Sequence, residues 1–233
     1  MTRKIVAIHG IGNNKPGWSD SLRAFLDIPE SDWIEFNYED LMDKTWFHRV
    51  VVTATKVYLS HTYGPEAAAL GAGTEDYFND LVSYFVMNGT RLEIAVRLKE
   101  ILRAHPDAII LAHSLGSVVA YETLKNFDLS AHTLITMGSP LSKHLVKRFL
   151  RVQNRERPKL VNWYNVWSLF DPVSGKVEGL GCHRTDQFHI RNTHFLLGYV
   201  ASQKARIQAL YDPGASPPST PSEMPLGEDS DSL

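Results

Sequence analysis

The chain has one cysteine, Cys182, in 233 residues. A lone thiol excludes an intramolecular disulfide, so the fold makes no demand for an oxidising compartment. The ten histidines are scattered, and with the single cysteine they make no zinc-like spacing, so no metal is expected. Charge of one sign is also lacking. Lys and Arg number 24 against 26 Asp and Glu, a net charge of −2, and nothing in that balance points to a nucleic-acid partner. Long hydrophobic runs are missing too. Residues 46–63 come nearest, but His48, Arg49, Lys56 and His61 interrupt them, and a spanning helix needs about 20 mostly apolar residues. No cleavable leader is read at the start: residues 5–8 are an apolar strand running into a glycine motif that belongs to the candidate site. Cytoplasmic location is the expectation.

What is present is a globular composition, 43% hydrophobic and 21% charged, enough for one substantial core. Short apolar, β-branched runs alternate with amphipathic stretches. Strands are expected at residues 4–9, 33–38, 108–112, 133–137, 160–169 and 188–190. Helices are expected at 20–26, 77–86, 91–103, 117–125, 143–150 and 195–211. In the helix at 91–103, Leu92, Ala95, Val96, Leu98, Ile101 and Leu102 form the expected inner face. Strands buried on both faces and separated by helices imply an α/β fold with a mostly parallel sheet. Ligands in such sheets sit beyond the carboxyl ends of the strands, and the notable motifs all follow strands. Residues 1–211 form the expected domain, with 41–104 as a helical insertion and candidate cap. Residues 212–233 hold five of the twelve prolines, five acidic residues and no Lys or Arg. Such a segment buries too little apolar surface to offset its ordering entropy, and is read as a disordered acidic tail.

The strongest motif is Ala112-His113-Ser114-Leu115-Gly116, between a strand and a helix. A strand that turns this sharply into a helix lifts its central side chain clear of the sheet, and small residues two before and two after let the chain fold so tightly. The backbone N–H of Leu115, at the start of the helix, is left free for a developing oxyanion. The first strand ends in His9-Gly10-Ile11-Gly12. A dinucleotide loop would need a third glycine where Lys15 stands. His9 is expected to anchor that loop, and His113 to pack away from the nucleophile.

With its glycine loop, its elbow at 112–116 and the run Met137-Gly138-Ser139-Pro140-Leu141, the chain resembles the α/β-hydrolase superfamily of lipases and esterases. Within it the text is most similar to the lipase branch that includes GPI inositol-deacylase-like and related bacterial serine esterases. The resemblance covers roughly residues 4–200, leaving out the insertion. It implies that the N–H of Ile11 is the second oxyanion donor. It also implies a sheet trimmed to about six strands, because the family usually has two strands before this loop. Ala112 departs from the glycine usual at the first elbow position.

A serine hydroxyl needs a neighbouring base, and the fold carries its triad in the order Ser, acid, His. After Ser114 the best acid is Asp171, in Leu169-Phe170-Asp171-Pro172, with Asp186 its rival and a turn-capping role the bland alternative. The best base is His194, between the last strand and the last helix, with His189 and His183 as rivals. Hydrolysis of carboxylic esters is the expected activity, without a cofactor. The aromatics of the insertion, Trp46, Phe47, Tyr58, Tyr84 and Phe85 among them, suit either an apolar acyl chain or simple packing. The expected partners are a small-molecule or lipid ester and a transient membrane-surface contact. Thioester hydrolysis, acyl transfer to another acceptor, and a non-catalytic binding role remain alternatives at this stage. Oligomeric state is not legible.

Overall fold

The computed structural model describes residues 2–10, 15–42, 84–85, 87–150, 158–180 and 185–214. Six strands, β1 (Ile5–Ile8), β2 (Trp33–Phe36), β3 (Ile109–His113), β4 (Ser130–Met137), β5 (Lys159–Trp167) and β6 (Thr185–His189), form one sheet in the order β2-β1-β3-β4-β5-β6. Every pairing is parallel. Among the described residues the α-helices are α1 (Asp20–Leu26), α2 (Asn88–Ala104), α3 (Leu115–Asn126), α4 (His144–Phe149) and α5 (Leu196–Tyr211). The fold class is the expected one, an α/β sheet of six strands covered by helices on both faces.

The strand sequences account for this directly. All residues of β1 and β3 are buried, as continuous apolar runs must be when helices cover both faces. Side chains alternate between faces. Val6, Ile8, Ile110, Ala112 and Leu134 pack with Ile94, Leu98 and Leu102 of α2 and Val118, Val119 and Leu124 of α3. Ile5, Ile109, Leu111, Ile135, Met137 and Val166 pack with Leu22 and Leu26 of α1 and Val200 and Ile207 of α5. Each such side chain contributes about 2 kcal/mol by leaving water.

Two expectations are corrected, and for two of the insertion's aromatics the packing alternative holds. Helix α2 buries Ile94, Ala95, Leu98 and Leu102, whereas Leu92 is 59% and Val96 36% exposed; the inner stripe is rotated toward Ile94, which packs over α3. Tyr84 and Phe85 are buried core residues and not cap lining. The Tyr84 hydroxyl donates to Glu122 of α3 at 2.7 Å, and Phe85 stacks on Phe149. The fifth strand stops at Trp167, so Asp171 stands in a loop beyond it and not at the strand end. The remainder of the expected cap, residues 43–83, lies outside the described residues, as does the tail from 215 on.

The Glu122 carboxylate, 5% exposed, also takes Arg91 of α2 through Nε at 2.8 Å and through Nη2. A buried carboxylate is tolerated only when so paired, and this one ties α2 to α3. At the other edge, Arg3 N–H and Nη1 donate to the carbonyls of Tyr211 and Leu210, and Tyr211 donates to Asp32 at 2.6 Å. The last helix is thereby fixed beside the first strand. Because β1 lies between β2 and β3, the chain leaves β1 and β3 in diverging directions, and the crevice where such a sheet receives ligands opens above these two strands.

Candidate active site

Ser114 stands at that crevice, between β3 and α3, with φ 52° and ψ −126°. A non-glycine residue in this region carries of order 1–3 kcal/mol of strain, so the surroundings must impose it. Ser114 N–H donates to the carbonyl of Met137 on the neighbouring strand at 3.0 Å. Its own carbonyl accepts from Ser117 N–H at 3.0 Å and from the Ser117 hydroxyl at 2.6 Å, and Ser117 Oγ meets Ser139 Oγ at 2.6 Å. Gly116 lets helix α3 sit on the end of β1: a Cβ there would come within 2.3 Å of the His9 carbonyl oxygen. The small residue anticipated at 116 is thus required by the approach of β1.

The structure brings Asp171 and His194 to this serine from two further loops. His194 Nε2 is 3.0 Å from Ser114 Oγ, and its Nδ1 is 2.7 Å from Asp171 Oδ2. Asp171 is 2% exposed. Burial alone would raise its pKa, but hydrogen bonds from His194 and Tyr199 outweigh this and hold it below the usual carboxylate range. An ionised carboxylate only accepts, so Nδ1 of His194 carries the proton and Nε2 is left as acceptor for the serine hydroxyl. His194 itself sits at φ 72°. Beside it Gly138, at φ 57°, leaves room: a Cβ would stand 3.1 Å from His194 Nδ1 and 3.2 Å from Asp171 Oδ2.

Asp171 has contacts that fit both alternatives the sequence offered. Its Oδ1 accepts from the N–H groups of Val173 and Ser174, at 2.8 and 3.3 Å, and so caps its own loop; its Oδ2 faces His194. Ser168 joins this loop to the histidine loop. Its hydroxyl donates to the Asn192 carbonyl at 2.7 Å and accepts from Asn192 N–H at 3.2 Å.

Of the rivals, His189 is placed elsewhere. His189 Nε2 accepts from Leu169 N–H at 3.3 Å, and its ring meets Trp167 edge-on. His183 and the side chain of Asp186 lie outside the described residues. His9 is an anchor, as expected. Its Nδ1 is 2.5 Å from the Gly10 carbonyl, its Nε2 accepts from Tyr38 N–H at 3.3 Å, and it stacks on the Tyr38 ring. Burial lowers its pKa. His113 does not point away: its ring lies 4.7 Å from that of His194, centroid to centroid. Burial, then the neighbouring His194, push its pKa down to about 3. Its Nε2 is buried without a hydrogen-bond partner among the described residues.

Of the two oxyanion donors expected, Leu115 opens α3, where helix geometry leaves its N–H without an intrahelical acceptor. Ile11 lies outside the described residues. Sequence reasoning missed Tyr199, whose hydroxyl donates to Asp171 Oδ2 at 2.6 Å. It missed the bracing role of Ser168 as well. The available signal for Tyr199 was its place in the first turn of the helix that follows His194. Among the described residues no group of three or more His, Cys, Asp or Glu could hold a metal ion, and no helix is long and apolar enough to cross a membrane.

No family model matches the chain, and no curated protein matches it either. Among solved structures it is similar to a candidate hydrolase of the alpha/beta superfamily from Xanthomonas campestris pv. campestris. Identity is 13%, the TM-score is 0.45, and the match covers 91% of this chain and 96% of that one. A candidate cell-surface hydrolase from Lactobacillus plantarum is similar at 12% identity and a TM-score of 0.44, covering 90% of both chains.

Proposed function

We propose that this chain is a serine hydrolase that cleaves carboxylic esters through an acyl-enzyme. Ser114 is the nucleophile, His194 the general base and acid, and Asp171 the group that orients the imidazole and stabilises its charged form. The observation that carries this reading is the unbroken line from Ser114 Oγ to His194 Nε2 at 3.0 Å and from His194 Nδ1 to Asp171 Oδ2 at 2.7 Å. In the reaction, Nε2 takes the Ser114 proton as Oγ attacks the carbonyl carbon. The oxyanion receives the N–H of Leu115 and, as the family resemblance implies, that of Ile11. The imidazolium protonates the leaving alcohol, and water enters by the reverse sequence to release the acid.

Four exposed apolar side chains support an apolar ester, including a lipid ester. Leu169 (74%) and Phe170 (55%) precede Asp171, and Phe195 (71%) and Leu197 (54%) follow His194. Leu169, Phe170 and Phe195 stand on the two loops that deliver the acid and the base and Leu197 in the first turn of α5, so an acyl chain entering the site would meet them.

The test is a fluorophosphonate probe on wild type and Ser114→Ala, with the labelled peptide identified by mass spectrometry, beside turnover of short and long p-nitrophenyl esters. Labelling at Ser114, lost together with activity in the variant, is expected. A folded wild-type protein that neither labels nor turns over any ester would defeat the reading and favour a binding role. Thioesterase or acyltransferase activity would use the same three residues, and analysis of the products with thiol and alcohol acceptors present separates them from ester hydrolysis.

A further inference from the structure

The Oδ2 atom of Asp171 takes one more hydrogen bond than a Ser–His–Asp line needs. It faces two donors, His194 Nδ1 at 2.7 Å and the Tyr199 hydroxyl at 2.6 Å. Tyr199 is fully buried. It lies in the first turn of α5, five residues beyond His194, with its N–H on the Phe195 carbonyl. Its ring edge packs against Gly138, where a Cβ would stand 3.1 Å from Cε2, and its ring centroid is 6.1 Å from that of His113. Burial, and then the neighbouring carboxylate, raise the phenol well above its ordinary pKa, so the hydroxyl acts toward Asp171 only as a donor.

Resting on the hydrolase reading, we propose that Tyr199 is a positioning residue of the Ser114–His194–Asp171 line, sharing Oδ2 with His194 and thereby setting how strongly the carboxylate holds the imidazolium. The phenol does not reach substrate. It draws electron density from the oxygen that His194 faces, so it weakens the pull of Asp171 on the imidazolium proton. It also locks the carboxylate, since the other oxygen is held by the N–H groups of Val173 and Ser174. Among the described residues the titratable groups around His194 are Asp171 from the loop after β5, Tyr199 from α5 and His113 from β3. Lys143, after β4, acts on Asp171, and His9, after β1, acts on His113. Of these, only Tyr199 donates a side-chain hydrogen bond to the oxygen that His194 uses, among the described residues.

The experiment compares full-length wild type with Tyr199→Phe. It reads kcat/KM for p-nitrophenyl butyrate from pH 5 to 9, and the titration of the His194 Cε1–H by NMR. Removing the donor makes Oδ2 more basic, so the His194 pKa and the acid limb both rise, by about half a pH unit. At the plateau kcat falls by less than about tenfold while KM stays unchanged. A limb and an NMR titration that stay put, whatever happens to the plateau rate, would overturn the proposal. If Tyr199→Phe does not fold, 3-fluorotyrosine at position 199 keeps the hydroxyl and makes it a stronger donor. The shift must then run the other way, to lower pH, and no shift overturns the proposal. A wild-type protein inert toward esters whose His194 titration still moves on substitution would sink the hydrolase reading and leave the role of Tyr199 toward His194 standing.

Discussion

Two oxygens of Asp171 carry two different tasks, and substitutions can separate them. Asp171→Asn keeps an acceptor for the Val173 and Ser174 N–H groups but offers no charge to the imidazolium and favours the wrong tautomer of His194. We expect kcat to fall by about 10⁴ and the melting temperature to drop as well, since the buried Tyr199 hydroxyl loses its carboxylate acceptor, measured by ester turnover beside calorimetry. Gly138 makes the complementary case. Alanine there meets both a positive φ of 57° and the His194 ring 3.1 Å away. The left-handed backbone costs about 1 kcal/mol, while the displaced imidazole loses far more in rate. Gly138→Ala should therefore lose at least a hundredfold in kcat while remaining folded. A variant with wild-type turnover would show that the ring does not need that space.

At the scale of elements, the tie between α2 and α3 is ionic and buried. Arg91 and the Tyr84 hydroxyl converge on Glu122, on the helix that begins at the elbow. Truncating one member of such a group leaves the others unpaired, so Glu122→Ala should cost about 3 kcal/mol, a loss of roughly 6–12 °C in melting temperature. Replacing Glu122 and Arg91 together by Met and Leu should recover much of this, since no buried charge is then left alone. Equal losses in the single and double variants would mean that packing and not charge holds the helices. The elbow's seat is steric instead. Gly116→Ala drives a Cβ into the His9 backbone, so it should lower both stability and turnover, because β1, the glycine loop and α3 move together.

For the whole molecule, acid is the weak direction. His113 has a pKa near 3 in the fold against an ordinary 6.5, so between those values the unfolded chain binds a proton that the folded chain refuses. Stability is complete above about pH 6.5 and falls toward pH 3, at up to about 1.4 kcal/mol per pH unit for this one group. His9, also lowered by burial, acts with the same sign, and Asp171 adds to it once the pH falls through the carboxylate range. Urea midpoints measured from pH 7.5 to 4 should show this slope, and His113→Phe should flatten it. Removal of residues 215–233 should leave turnover unchanged, since α5 is already fixed to β1 through Arg3 and Tyr211.

Local pattern was sufficient for the sheet and the elbow and, with the order Ser, acid, His that the resemblance implies, for picking the three candidate residues. Apolar runs that are buried on both faces, and small residues flanking a serine between strand and helix, are properties of neighbouring positions in the chain. So, given that order, is the choice of Ser114, Asp171 and His194, each just beyond a strand, for a crevice that must lie at the strands' carboxyl ends. What needed the tertiary structure was everything set by contact between distant segments. The inner stripe of α2 depends on where α3 lies, and Tyr84 is core because Glu122 waits for its hydroxyl. His113 turns toward His194 because the histidine loop packs over β3. Asp171 both caps its loop and faces the imidazole, which no reading of Asp-Pro could separate. Tyr199 enters the line of hydrogen bonds only because α5 folds back over β3 and β4. Periodicity and turn chemistry are local and therefore legible in sequence; the sharing of one carboxylate oxygen by two side chains depends on how distant segments pack, and only the folded chain decided it.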